Sequence, residues 1–256
     1  MIRRISMLSW TGFIQLLRSR IYINLLAANI FMVITAFILD RLSAGEGARM
    51  LIDLGMTFGA LVTAAMAGTV AIVTLTAEIE NKQIHLLLAR PISRFELVIG
   101  KFLTIAFLVT ISNLIIGLVL WGMAIGIQSP DPERLFFAIN FLSIEGYIVV
   151  AVAILFGVGS SSMMSATFTT LFFILGRLSD VLKQLIESGK FADLSDVLNV
   201  AYYLVPHLYL YDLTEWAQGG AAPELTHILQ SVVAGLSYIA ILLFLASLRL
   251  EKRDIP

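Results

Sequence analysis

Read from its amino end, the chain alternates between long charge-free apolar runs and short clusters of charge. A bilayer core about 30 Å thick needs roughly 20 apolar helical residues. Runs of that length are centred on residues 21–39, 54–77, 102–126 and 228–248. The stretch 135–176 carries one charge, Glu145, and is too long for one helix. It predicts two, over 139–159 and 163–183, split at Gly157-Val158-Gly159-Ser160-Ser161-Ser162, where small and polar residues permit a tight turn. Before the first run, Ile5, Leu8, Phe13, Ile14 and Leu17 recur near helical spacing, with Arg4, Thr11, Gln15 and Arg18 on other faces. Residues 1–20 therefore read as an amphipathic helix lying on a membrane surface, with a frayed basic anchor as the alternative. Gln15, Arg18 and Arg20 break the run in a way that a cleaved leader does not show.

Composition agrees with that pattern. Of 256 residues, 59% are hydrophobic and 14% charged, against about 45–50% and about 25% in soluble domains, and mean hydropathy is +0.91. A soluble enzyme is excluded. The expectation is an all-α, polytopic membrane protein with six transmembrane helices, a single domain over 1–256, and an extracytoplasmic segment at 184–227. The absence of cysteine removes disulfides and thiolate chemistry. A net charge of −1 leaves no bulk basic field for nucleic acid.

The distribution of charge orients the spans. With six of them, both termini and the 78–101 segment share a side that carries eleven of the 17 Lys and Arg but five of the 18 acids. Lys and Arg collect on the cytoplasmic side, so both termini are expected in the cytoplasm.

Residues 77–101 hold the most readable local chemistry. Glu78 and Glu80 fall where span two ends, at the negative end of its dipole, where each carboxylate would cost about 0.3–1 kcal/mol if the helix stopped there. The helix is therefore expected to run on, with Glu78 placed to pair with Lys82. His85, Leu86, Leu87 and Leu88 follow outside any span, and Pro91 drives Arg90 out of the helical region. Ser93-Arg94-Phe95-Glu96 is a capping box, with Ile92 and Leu97 positioned as its staple, so a new helix starts at Ser93 and continues into span three. Such a break and capped return suit docking of a cytoplasmic partner.

Taken together, Glu78-x-Glu80, Leu86-Leu87-Leu88-Ala89-Arg90-Pro91-Ile92-Ser93-Arg94, then Glu96 and Gly100-Lys101, resemble the signature of ABC type-2 transporter permeases. The six spans and the amphipathic start fit the same family. The chain departs from it at Asn81-Lys82-Gln83, where Gly or Arg followed by Thr is frequent. The resemblance implies a cytoplasmic coupling helix between spans two and three, seated on a separate ATPase. It also implies two such ATPase subunits, which bind ATP and Mg, and a second copy or related six-span subunit. This chain would hold no cofactor and carry out no catalysis. It would be the permease of an exporter in the plasma (inner) membrane. A solvated helix end also fits Glu78 and Glu80, and headgroup anchoring fits Arg90, Arg94 and Lys101.

Gly55 and Gly59 open a small-residue face on span two, suited to close packing within the chain or against a second copy. Asn24, Asn29, Asn113 and Glu145 lie in spans and are candidates for a pathway or outer gate. The asparagines fit interhelical hydrogen bonding equally well, and Glu145 fits interface depth. Tyr202, Tyr203, Tyr209, Tyr211 and Trp216 read as an outer aromatic belt. His85, His207 and His227 are scattered, and there is no zinc-ligand or phosphate-loop pattern. The alternative functions are an intramembrane lipid-modifying enzyme and a non-transporting scaffold.

Overall fold

The computed structural model describes residues 2–42, 47–80, 93–126, 131–187, 199, 202 and 205–252. In chain order the elements are α1 (Ile2–Leu17), α2 (Arg20–Leu42), α3 (Gly47–Glu80), α4 (Arg94–Gly126), α5 (Pro132–Phe141), α6 (Ser143–Gly159), α7 (Ser162–Arg177) and α8 (Ser179–Glu187). A 3-10 turn (Leu208–Tyr211), α9 (Thr214–Ala217) and α10 (Leu225–Lys252) follow. No strand occurs among the described residues.

Among the described residues, four helical stretches are long and apolar enough to cross a membrane: 49–75, 94–126, 132–159 and 225–251. The count reaches six when each of two bent pairs is taken as one span. One pair joins Ser9–Leu17 to Arg20–Thr35 at 64°; the other joins Ser162–Arg177 to Ser179–Ile186 at 57°. The six expected spans are thus the upper count.

Two boundaries differ from the sequence expectation. The fourth span begins at Pro132, not 139, because proline is preset for the first helical turn and Arg134 pairs with Asp131 at 3.1 Å. The fifth breaks at Leu178 instead of running straight to 183. There the Ser179 hydroxyl donates to the Gly176 carbonyl at 2.6 Å. The turn between α6 and α7 is only Ser160-Ser161, with the Ser161 hydroxyl capping α7.

Helix α6 is the hub, packed by α3, α4, α7 and α10. Its Val149, Val150, Ala151, Val152, Ala153 and Ile154 are all buried, and a helix apolar on every side belongs inside a bundle. Lipid is as apolar as leucine, so close contact and polar links hold membrane helices together. Gly55 lies against Leu120 of α4 and Gly59 against Ile139 of α5; a Cβ at Gly59 would collide with the Ile139 Cδ1. Phe107, Leu118 and Trp121 of α4, with Leu229, Val233 and Phe244 of α10, face outward as an apolar surface.

Helix α1 packs one side against α4. Ser9 and Phe13 are buried against α4 while Met7 and Trp10 are exposed. The Thr104 hydroxyl donates to the Ser9 carbonyl at 3.2 Å, and the Phe13 and Phe107 rings meet edge-on at 6.4 Å.

Candidate functional site

At one end of the bundle lie the termini of α3, α4, α6 and α10. Glu78 and Glu80 belong to the last turn of α3, whereas His85, Leu86, Leu87, Leu88, Arg90 and Pro91 fall outside the described residues. The return limb is well defined. The Ser93 backbone N–H donates to Glu96 Oε2 at 3.0 Å, and the Glu96 N–H donates to the Ser93 hydroxyl at 3.1 Å. These are the two reciprocal bonds of a capping box. Arg94 reaches sideways: its Nη1 donates to the Leu250 carbonyl at 2.5 Å and to the Glu251 carbonyl at 2.8 Å. Lys101, two turns into α4, is half-buried.

At the opposite end, three charges from three elements converge. Arg177, at the end of α7, donates from Nε to Glu145 Oε1 at 3.0 Å and from Nη1 to Asp212 Oδ2 at 2.5 Å. Glu145, in the first turn of α6, is 2% exposed, and a carboxylate so buried needs a cation. Its Oε2 and the Arg177 Nη2 have no partner. Asp212 also accepts from the Thr214 N–H and hydroxyl, which fixes the loop carrying it. Arg177 and Asp212 were not singled out from sequence. A lone carboxylate in an apolar run was the available signal, because it demands a counter-charge somewhere.

The aromatic residues beside this cluster do not form a uniform belt. Tyr211 is buried against Phe141 at 6.0 Å, and its hydroxyl donates to the Ser231 carbonyl of α10 at 2.9 Å. Burial, and then the Glu145 carboxylate, push its pKa up to about 12. His207 stacks edge-on with Tyr202 at 4.3 Å, and burial lowers its pKa. Trp216 sits under the Arg134 guanidinium at 5.9 Å. Tyr203 lies outside the described residues.

Level with the first turn of α6 runs a polar layer. The Thr63 hydroxyl of α3 donates to Asn113 Oδ1 of α4 at 2.8 Å. Asn113 Nδ2 in turn donates to the Ser143 hydroxyl of α6 at 3.1 Å. A second link joins the Tyr22 and Ser112 hydroxyls at 3.0 Å. Interhelical bonds of this kind average about 0.6 kcal/mol in membranes and reach about 1.7. Asn113 is thus an interhelical linker, enclosed by its neighbours. Asn29 is buried with neither amide atom partnered, and Asn24 is exposed on α2. The structure does not gather Asn24, Asn29, Asn113 and Glu145 into one site.

A groove lies elsewhere, between α3 and α7. It encloses about 700 Å³ and is lined by Leu61, Ala65, Gly68, Met163, Ala166 and Thr170, among others. The small side chains of α3 open this groove, and its walls are almost wholly apolar. Thr169 lines it too, and its buried hydroxyl has no partner. Chemically the groove can accept apolar surface. Among the described residues no group of three or more His, Asp or Glu is placed to hold a metal ion.

Residues 7–255 match the family described as ABC-2 family transporter protein. No curated protein matches the chain. The match spans nearly every residue, over a bundle of four to six membrane-length helices, and the chain therefore belongs to the ABC-2 transporter family, as a membrane permease component of an ABC transporter.

Proposed function

We propose that the chain is the permease half of an ATP-driven exporter in the plasma (inner) membrane, working with a separate ATPase and a second six-span subunit. The carrying observation is the family match over residues 7–255 on a chain that also presents a long apolar groove. ATP and Mg are held by two partner ATPases, which seat on the segment joining α3 to α4. Glu78, Glu80 and the Leu86-Leu87-Leu88 patch are the contact residues, with both termini on that same cytoplasmic side. The α3–α7 groove faces the second subunit, and the two walls form the route for substrate. An intramembrane lipid-modifying enzyme is the weaker reading, since no nucleophile with a neighbouring base emerges among the described residues.

Native mass spectrometry of the complex purified from its own membrane tests this. Two permease subunits with two ATP-binding-cassette ATPases are expected. Glu80→Lys should weaken ATPase retention more than tenfold, because losing an ionic contact across an interface costs about 2–5 kcal/mol. A purified chain that carries no ATPase, or turns over lipid alone, refutes the proposal. Topology has its own check: Ser93→Cys should resist an impermeant label applied outside intact cells, and Ser195→Cys should react.

A further inference from the structure

Two guanidinium groups at one end of the bundle each close the carboxyl terminus of a different helix. Arg94, in the first turn of α4, donates to the Leu250 and Glu251 carbonyls at the end of α10. Arg249, on α10 itself, donates from Nη2 to the Gly159 carbonyl at the end of α6, a longer contact of 3.4 Å. The last carbonyls of a helix lack intrahelical partners and carry its negative dipole end, so a cation is held there by both effects. The second contact is shaped as well as charged. A Cβ on Gly159 would collide with Arg249 Nε and Cζ, so the guanidinium rests directly on the glycine backbone. Around these contacts α10 is anchored by Ala246 and Leu250, in the same buried cluster as Leu97 of α4 and Val158 of α6.

We infer that Arg94 and Arg249 form a two-step strut that carries movement from the start of α4, through the end of α10, to the α6–α7 turn. This rests on the reading that an ATPase acts on the segment preceding α4. Each link has a physical basis. Arg94 follows the Ser93 cap, so any shift of the return limb moves its guanidinium and pulls the final turn of α10. Arg249 moves with that turn and bears on Gly159. The two-residue linker Ser160-Ser161 passes the shift to α7, whose Met163 and Ala166 form a wall of the groove. Arg94 is thus a positioning residue facing the bundle, distinct from the contact residues at Glu78, Glu80 and Leu86-Leu87-Leu88.

The glycine allows a mild test. Gly159→Ala pushes aside only the far end of a flexible side chain, so Arg249 is unseated without disturbing backbone packing. The readout is a fluorophore on Met163→Cys, 82% exposed on the groove wall in a chain without other cysteines. The purified permease–ATPase complex is reconstituted in nanodiscs, and the ATP-induced signal change is compared with ATPase retention and melting temperature. Gly159→Ala, Arg249→Met and Arg94→Met should each lower the ATP-induced change about threefold or more. ATPase retention should stay normal, and Arg94→Lys should restore part of the signal. An unchanged signal in Gly159→Ala and Arg249→Met overturns the strut, as does a fall in melting temperature with the signal intact. Loss of the ATPase from Arg94→Met alone also overturns it, by making Arg94 a docking residue. Failure of the unsubstituted chain to bind any ATPase refutes instead the transporter reading on which the strut rests.

Discussion

Replacing Arg177 by methionine tests whether the Glu145–Arg177–Asp212 cluster is a fastening point of the bundle. Methionine keeps the length of the apolar stem and removes the guanidinium. Glu145 is 2% exposed and, among the described residues, has only Arg177 as an ion-pair partner, whereas Asp212 is about a third exposed and keeps Thr214. The penalty therefore falls almost entirely on Glu145. Removing one member of a buried pair strands the other and costs about 3–5 kcal/mol. A domain of this size loses about 2–4 °C of melting temperature per kcal/mol, so Arg177→Met should melt about 6–20 °C lower. Asp212→Asn should cost less than about 1 kcal/mol, because its charge is screened by water. The paired change Glu145→Leu with Arg177→Met removes both charges together and should recover most of the loss, since apolar replacement of a buried pair is often close to neutral. Fluorescence-detected size exclusion of heated membranes measures all three variants. A shift below about 2 °C for Arg177→Met, or a double variant no more stable than the single one, would refute the assignment of the cluster as a buried ion pair.

Three further outcomes follow from other contacts. Asn113→Leu strips both bonds from Thr63 and Ser143 and should cost about 1–3 kcal/mol, read as a lower melting temperature with unchanged oligomeric state. Gly59→Ala should destabilise by about 1–3 kcal/mol through its clash with Ile139 Cδ1, and adding Ile139→Val, which deletes that carbon, should restore wild-type melting. Burial holds His207 below its ordinary pKa of 6.5, so the unfolded chain binds more protons and stability should fall as pH drops below about 6.5. His207→Gln should flatten that slope in melts taken across the same range.

The amino-acid order was enough, by itself, to place most helices and one of their caps. Charge-free runs of bilayer length leave few alternatives, because every backbone group in lipid must be satisfied within its own segment. The Ser93–Glu96 capping box was equally readable, since its partners are three residues apart and the bond is local. Partner choice over long separations was not readable. Arg94 lies 156 positions from Leu250, and Glu145 lies 32 from Arg177. Nothing in their own neighbourhoods specifies either pairing; it depends on which helix ends the bundle brings together. The same holds for Asn113, which any facing helix with a hydroxyl would satisfy, and for Tyr211, whose aromatic character suits an interface until a neighbouring glycine, Gly235, admits it to the interior. Helix identity follows from local chemistry, while the charged contacts at the two ends depend on how α6 is surrounded.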